Sequence, residues 1–261
     1  VHGNAQLTFF PPDSSMISWS PRIAGSQLQD RSGQRLFDEF SPSLSWAFAT
    51  STYTVGISRF TEVLRPQDFR GLRATTSYDY DFWNIGYSNN MLSSLTLDIA
   101  YRNGTALNLV PAAGSMPEVA DTDRTDITVL WRPLSQLRVN TTYLNTSLDS
   151  QRGVKAFSNE ILRSTWNYQF TKEMSVRFIS QYDNTEAGPA TSLPTRENLN
   201  FDLLLRYVLN PWSAFFVGYN SNSSNFDLVD TEDGGRELLI SDSLRQDGEQ
   251  FFAKFSFMWQ R

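Results

Sequence analysis

Hydrophobic and polar residues alternate one by one along much of this chain. Leu162, Ser164, Trp166, Tyr168 and Phe170 occupy one set of positions, and Arg163, Thr165, Asn167 and Gln169 the other. Successive side chains of an extended strand point to opposite faces, so this period of two predicts strands with one apolar and one polar face. The same reading applies to 95–102, 127–132, 137–143, 174–182, 201–209 and 215–219. The last strand, 251–259, places Phe251, Ala253, Phe255, Phe257 and Trp259 on one face, with Phe252, Lys254, Ser256 and Met258 opposite. Nearer the start the pattern is looser. Leu44, Trp46 and Phe48 with Tyr53, Val55 and Ile57 predict a hairpin around Thr50-Ser51-Thr52, and Thr76, Tyr78, Tyr80 and Phe82 alternate with Ser77, Asp79 and Asp81. Residues 21–42 read as a long polar loop.

The connections have a rhythm. Short turns are expected at Asn103-Gly104, 133–135, 171–173 and 210–212, because Asn-Gly and compact Pro/Ser/Lys clusters reverse strands tightly. Long polar stretches fall between them, at 111–124, 145–158, 183–197 and 221–248. A soluble sandwich has no reason to segregate loop lengths in this way. An all-β transmembrane antiparallel up-and-down β-barrel does, with short periplasmic turns and long extracellular loops. The segments predict about 14 strands, with residues 43–261 forming the barrel and 1–42 supplying irregular strands, a long loop or its first hairpin. The last strand follows a long loop, which puts the C-terminus on the periplasmic side.

Composition narrows this picture. No run of eighteen apolar residues exists, so a helical membrane span is excluded while a barrel is not. Aromatic residues reach 14%, enough for girdles at two membrane interfaces. With no cysteine, thiolate metal sites, disulfides and a cysteine nucleophile are excluded. The single histidine is His2, outside the strands, so a Ser-His-Asp site has no base; no cofactor is expected and the chain reads as a non-enzyme. A net charge of −6 argues against nucleic acid as a partner. The chain opens at Val1 without a leader, as a mature chain or a fragment would.

The runs Leu162-Arg163-Ser164-Thr165-Trp166-Asn167-Tyr168-Gln169-Phe170-Thr171, Asn200-Phe201-Asp202-Leu203-Leu204-Leu205-Arg206-Tyr207, Asn210-Pro211-Trp212-Ser213 and Val217-Gly218-Tyr219-Asn220, with 177–182 and 252–259, carry a resemblance. They resemble a group of bacterial outer-membrane barrel proteins of unassigned function that often carry an N-terminal module similar to family-9 carbohydrate-binding modules. No such module is visible here, so the resemblance implies the barrel part alone. Gln260 and Arg261 follow the terminal aromatic residue, a departure from the usual barrel ending.

Strand parity then assigns faces. Trp131, Tyr143, Trp166, Tyr168, Phe178, Phe201, Tyr207, Phe215, Phe255, Phe257 and Trp259 are expected to face lipid or form girdles. Asp98, Arg102, Asp126, Arg132, Arg138, Arg163, Arg177, Asp202, Arg206 and Lys254 fall opposite and are expected to line the lumen, because a lipid-facing Arg near the midplane costs roughly 2–4 kcal/mol. Asp79 and Asp81 are assigned to the same side. Two readings of that lining stand. Its Arg and Asp residues pair in a ladder that stiffens the wall, or rings of Arg bias an aqueous pore toward anions. The acidic stretch Asp227-x-x-Asp230-x-Glu232-Asp233-Gly234 has oxygen ligands for Ca²⁺ but not EF-hand spacing, and reads first as a solvated loop. The resulting expectation is an outer-membrane pore, conduit or membrane anchor of a larger envelope complex. The alternative is a plugged scaffold that holds partner proteins by its loops. Its other partners would be outer-membrane lipid and lipopolysaccharide.

Overall fold

The computed structural model describes residues 1–12, 14–69, 71–210, 212–230 and 236–257, with backbone alone for 227–230, 236–238 and 242. Thirteen strands form one sheet in strict chain order, every neighbouring pair antiparallel. They are β1 (His2–Gln6), β2 (Met16–Gln29), β3 (Arg35–Phe48), β4 (Ser51–Leu64), β5 (Thr76–Leu92), β6 (Leu95–Asn108) and β7 (Glu118–Leu134). There follow β8 (Leu137–Ser150), β9 (Lys155–Gln169), β10 (Met174–Ala187), β11 (Arg196–Asn210), β12 (Ser213–Asp230) and β13 (Arg236–Phe257). Among the described residues no ladder joins β1 to β13.

The sheet has no second layer. Substantial contacts run between ladder neighbours, with lesser next-but-one approaches of β5 to β7 and of β11 to β13. Leu64, Ala120, Val139, Leu148 and Ala156 are the buried apolar residues among those described, far too few for a sandwich core. A single sheet with neither face packed on another element is the plan of an up-and-down transmembrane barrel wall, where lipid and water take the place of a second layer.

Register fixes the faces. Phe178 pairs with both Trp166 and Leu203, Leu203 with Tyr219, and Tyr219 with Phe251, so all five side chains project from one face. In the other direction Trp166 pairs with Val139, Val139 with Trp131, and Trp131 with Leu95. Trp83, Ile85, Val55, Ile57, Leu44, Phe40 and Ile23 continue the same face through β5, β4, β3 and β2. Many of these side chains are more than 40% exposed, an apolar belt that crosses nearly the whole sheet. A soluble surface rarely carries a contiguous apolar patch above a few hundred Å², so the belt needs hydrocarbon against it.

The loop rhythm holds, but its members move. Tight connections sit at 49–50, 93–94, 135–136 and 170–173, with the longer 7–15 at the same end, and those at the other end lie at 30–34, 65–75, 109–117, 151–154 and 188–195. The hairpin expected at Asn103-Gly104 is absent: β6 runs straight through it, and the reversal lies at 93–94. Gly104, at φ +154°, is needed for another reason. A Cβ there would fall 2.8 Å from Phe82 Cβ and against the Asp81 carbonyl, so the glycine admits the neighbouring strand. Most of 21–42 and much of 145–158, 183–197 and 221–248, expected as loop, is strand. Strands of 14–22 residues exceed the roughly 9–11 needed to cross a bilayer. Their outer halves stand in water, and a strand wet on both faces loses its alternation.

Parity generates a sharp contrast at adjacent positions. Leu203 lies in the middle of the apolar belt, and Leu204 projects from the opposite face. Leu203→Arg is expected to destabilise the inserted protein by about 2–4 kcal/mol and Leu204→Arg by less than about 1 kcal/mol. Urea unfolding in phospholipid vesicles measures both; equal costs would remove the two-faced assignment.

Candidate functional site

The face opposite the belt carries the charge. Asn167 pairs with Arg138 on one side and Arg177 on the other, which sets these guanidinium groups two strands apart in one lateral row. Phe216 pairs with both Arg206 and Lys254, giving a second such pair one row nearer the short turns. Arg132 sits at the short-turn end of β7, and Arg163 lies deeper, between Thr142 and Gln181. Arg102, Asp98, Asp126 and Asp202 project from the same face farther along. The register therefore brings all ten charged residues singled out from the sequence onto one face. Asp79 and Asp81 are not among them. β5 is a single unbroken strand, so they share parity with Trp83 and Ile85 and stand above the belt on the apolar side.

These charges do not form the pairing ladder that strand parity alone allowed. Among the described residues, Arg102, Arg132, Arg138, Arg163, Arg177, Arg206 and Lys254 have no carboxylate oxygen within 4.0 Å. For the cations nearest the tight turns the separation is axial, and for Arg163 it is lateral, with Asp98 three strands away in the same row. Asp202 lies four residues from Arg206 along β11, about 13 Å at 3.3 Å per residue. The carboxylates have other partners: Arg124 makes a bidentate contact with Asp126 at 2.9–3.1 Å, and the Asn220 amide donates to Asp202. Arg102 instead places its guanidinium 5.7 Å from the Phe82 ring centroid. Arg138, Arg163, Arg177, Arg206 and Lys254 are exposed.

The apolar face holds the expected aromatic residues, with Trp131, Tyr143, Trp166, Tyr168, Phe178, Phe201, Tyr207, Phe215, Phe255 and Phe257 all on it by register. Trp259 lies outside the described residues, as do the side chains of the acidic stretch from Asp227. Polar groups on this face satisfy each other. The Trp166 indole donates to Ser164 at 2.8 Å, and Ser164 bonds Thr141 at 2.9 Å. Parity had missed part of a second girdle: Trp83 donates to Asn103 at 3.1 Å, Tyr101 bonds Asp123, and Tyr182 donates to Glu197 at 2.8 Å. From Trp131 to Asp123 is eight residues, about 26 Å along the strand. That matches the roughly 25 Å apolar band of outer-membrane barrels. Only the cross-strand partners reveal this girdle, because each pairs residues about fifteen or more apart in sequence.

At the long-loop end, Arg65 clasps two connections. It bonds Asp68 at 2.7 Å and Asp30 at 2.8 Å, tying 65–75 to the 30–34 turn. Hydrogen bonding from the Ser32 side chain, helped by backbone N–H groups and Arg65, holds the Asp30 carboxyl below its usual value. The Arg65 hydrogen bond does the same for Asp68.

A two-faced, single-layer antiparallel wall with an apolar belt, two aromatic girdles and a charged opposite face defines an outer-membrane-type transmembrane β-barrel. No family model and no curated protein matches the sequence. Among solved structures it is similar to a FadL homologue of Pseudomonas aeruginosa, at 12% identity over 97% of this chain and 75% of that one, with a TM-score of 0.38. It is also similar to OmpT of Vibrio cholerae in its trimer form, an outer membrane protein, at 10% identity over 99% and 97% of the two chains, again with a TM-score of 0.38. Likenesses of this size do not bear on what the chain does. The expectation of a non-enzyme is withdrawn with them, since a 10% likeness to OmpT decides neither for nor against catalysis.

The clasp has a defined pH response. Carboxyls held below their ordinary 3.8 contribute stability that is fully present above that value and lost as pH falls through the lower folded-state values. Hydrogen exchange in 65–75 is therefore expected to be slow at neutral pH and to accelerate below the ordinary carboxylate range. Arg65→Ala should give fast exchange already at neutral pH; an unchanged profile in that variant would refute the clasp.

Proposed function

We propose that this chain forms a water-filled pore of the bacterial outer membrane that passes small hydrophilic solutes and favours anions. The polar face lines its lumen, and the short turns and C-terminus lie on the periplasmic side. One observation carries this reading: a row of exposed, unpaired guanidinium and ammonium groups on the face opposite the apolar belt. An unpaired charge in a dry interior costs several kcal/mol. In water, two cations about 10 Å apart repel by only about 0.4 kcal/mol. Such a row is stable where water fills the space in front of it. In β4 and β5 the polar-face side chains are mostly half-buried while those of the apolar face are exposed, as concave and convex sides of a curved wall would be. Rings of fixed cations raise the local anion concentration and bias conduction toward anions.

In a planar bilayer with a KCl gradient, the wild-type protein is expected to give steady channels with a reversal potential on the anion side. The triple variant Arg138→Gln, Arg177→Gln, Arg206→Gln should move it toward zero with similar conductance. Cation preference in the wild type would overturn the assignment of the cationic row, and silence from a correctly inserted protein would favour a plugged scaffold.

A further inference from the structure

The β10–β11 connection, 188–195, does not stand up from the end of its hairpin. The Gly188 N–H donates to the Ala156 carbonyl at 2.7 Å and the Ala190 N–H to the Lys155 carbonyl at 3.0 Å, across the start of β9. It then reaches the β6–β7 connection. The Ser192 N–H and the Thr191 hydroxyl both donate to the Val110 carbonyl, at 3.1 and 2.6 Å. Asn108, only 1% exposed, completes the fastening: its amide donates to the Ala190 carbonyl at 3.1 Å, while its side-chain oxygen accepts from the Val110 N–H at 3.0 Å.

The side on which this strap lies follows from register. Ala190 packs on a small apolar cluster of Ala120, Leu148 and Ala156 flanked by Ala106 and Phe157. Ala106 pairs with Ala120, and Leu148 pairs with both Thr122 and Phe157, which puts Ala106, Ala120, Leu148 and Phe157 on the cationic face, while Ala156 has the other parity and closes the cluster at the strand end, beside the Leu148/Asp149 register shift. From β6 to β10 the wall has four inter-strand steps, about 19 Å at 4.8 Å each. A segment fastened at both ends of that arc crosses it as a chord, and a chord of a curved wall runs on its concave side. Gly188 is the point of closest approach, since a Cβ there would lie 2.8 Å from Lys155 Cβ and against the Lys155 carbonyl.

We infer that this strap is a fixed size filter across the long-loop mouth of the pore, setting the largest hydrophilic solute that can enter. The inference rests on the pore reading above. The buried Asn108 and the four fastening bonds make the filter part of the wall, so it does not act as an opening lid.

Gly188→Val and Asn108→Ala each unfasten the strap at a different point. Single-channel conductance is expected to rise roughly twofold, with polyethylene glycols excluded by the wild type now entering and the reversal potential unchanged. The double variant Val110→Cys, Thr191→Cys keeps the strap in place, and its disulfide should leave conductance as in the wild type. Unchanged conductance and size cut-off in both unfastened variants would overturn the filter while leaving the pore intact. A large loss of conductance on oxidising the double variant would show an opening strap and overturn a fixed one. Silence from wild type and variants alike would overturn the pore reading, and the filter with it.

Discussion

The backbone ladder is the constraint on which everything else in this molecule depends. In hydrocarbon each unpaired N–H or C=O costs several kcal/mol, so a crossing strand must bond to a neighbour on both sides. That requirement fixes register, and register in turn decides every side chain's solvent, because a slip of one residue exchanges the two faces. The irregularities of pairing are distributed accordingly. They occur at Met16/Ser18, Asn89/Leu92, Trp131/Leu134 and Val208/Asn210 beside tight turns, and at Leu28/Gln29, Leu148/Asp149 and Asn222–Phe226 at the far ends. Through the apolar belt the registers of the described strands run unshifted. A bulge there would have sent arginine into lipid.

The same constraint explains what could be read from the chain alone. Within the belt, lipid on one side and polar surroundings on the other leave a strict alternation. Parity therefore sorted Trp166 from Arg163 and Phe255 from Lys254 without any knowledge of their neighbours. Outside the belt both faces meet water and the signal vanishes. Stretches such as 183–187 and 196–197, rich in Asp, Asn, Thr and Glu, look like loop yet continue β10 and β11. Asn103-Gly104 misled for a related reason: a dipeptide that favours a reversal was placed where a strand passes close to Phe82. Contacts such as Asn108 to Ala190, 82 residues apart, have no local signature at all.

Charge shows how far parity reaches and where it stops. It grouped the basic residues on one face but said nothing of their height along the strands, so pairing with Asp98, Asp126 and Asp202 was equally compatible with it. Arg132, Arg138, Arg177, Arg206 and Lys254 stand nearest the tight turns, whereas Arg163 and Arg102 lie farther along, among the rows of Asp202, Asp98 and Asp126. Arg124, absent from the sequence-derived set, takes up Asp126. A chain of net charge −6 can thus gather many of its cations on one face, because much of its acid, including Asp79 and Asp81, stands on or above the other face.

Height along the barrel also decides which devices are available at each end. Near the tight turns most strands from β3 onward are joined by two to four residues, which leaves little spare chain to fold inward, and exposed cations such as Arg138, Arg177 and Arg206 stand there. At the other end the strands outrun the bilayer, and the connections that follow can fold onto the wall. Two of them do so by different chemistry. The Asp30–Arg65–Asp68 clasp is built from groups that protonation can release, whereas the strap on Asn108 is held by neutral amide, carbonyl and hydroxyl bonds that no accessible pH alters. Charge selection and size selection would thus lie at opposite ends of one wall. Acid would loosen the rim beside β2–β5 while leaving the chord over β6–β10 in place.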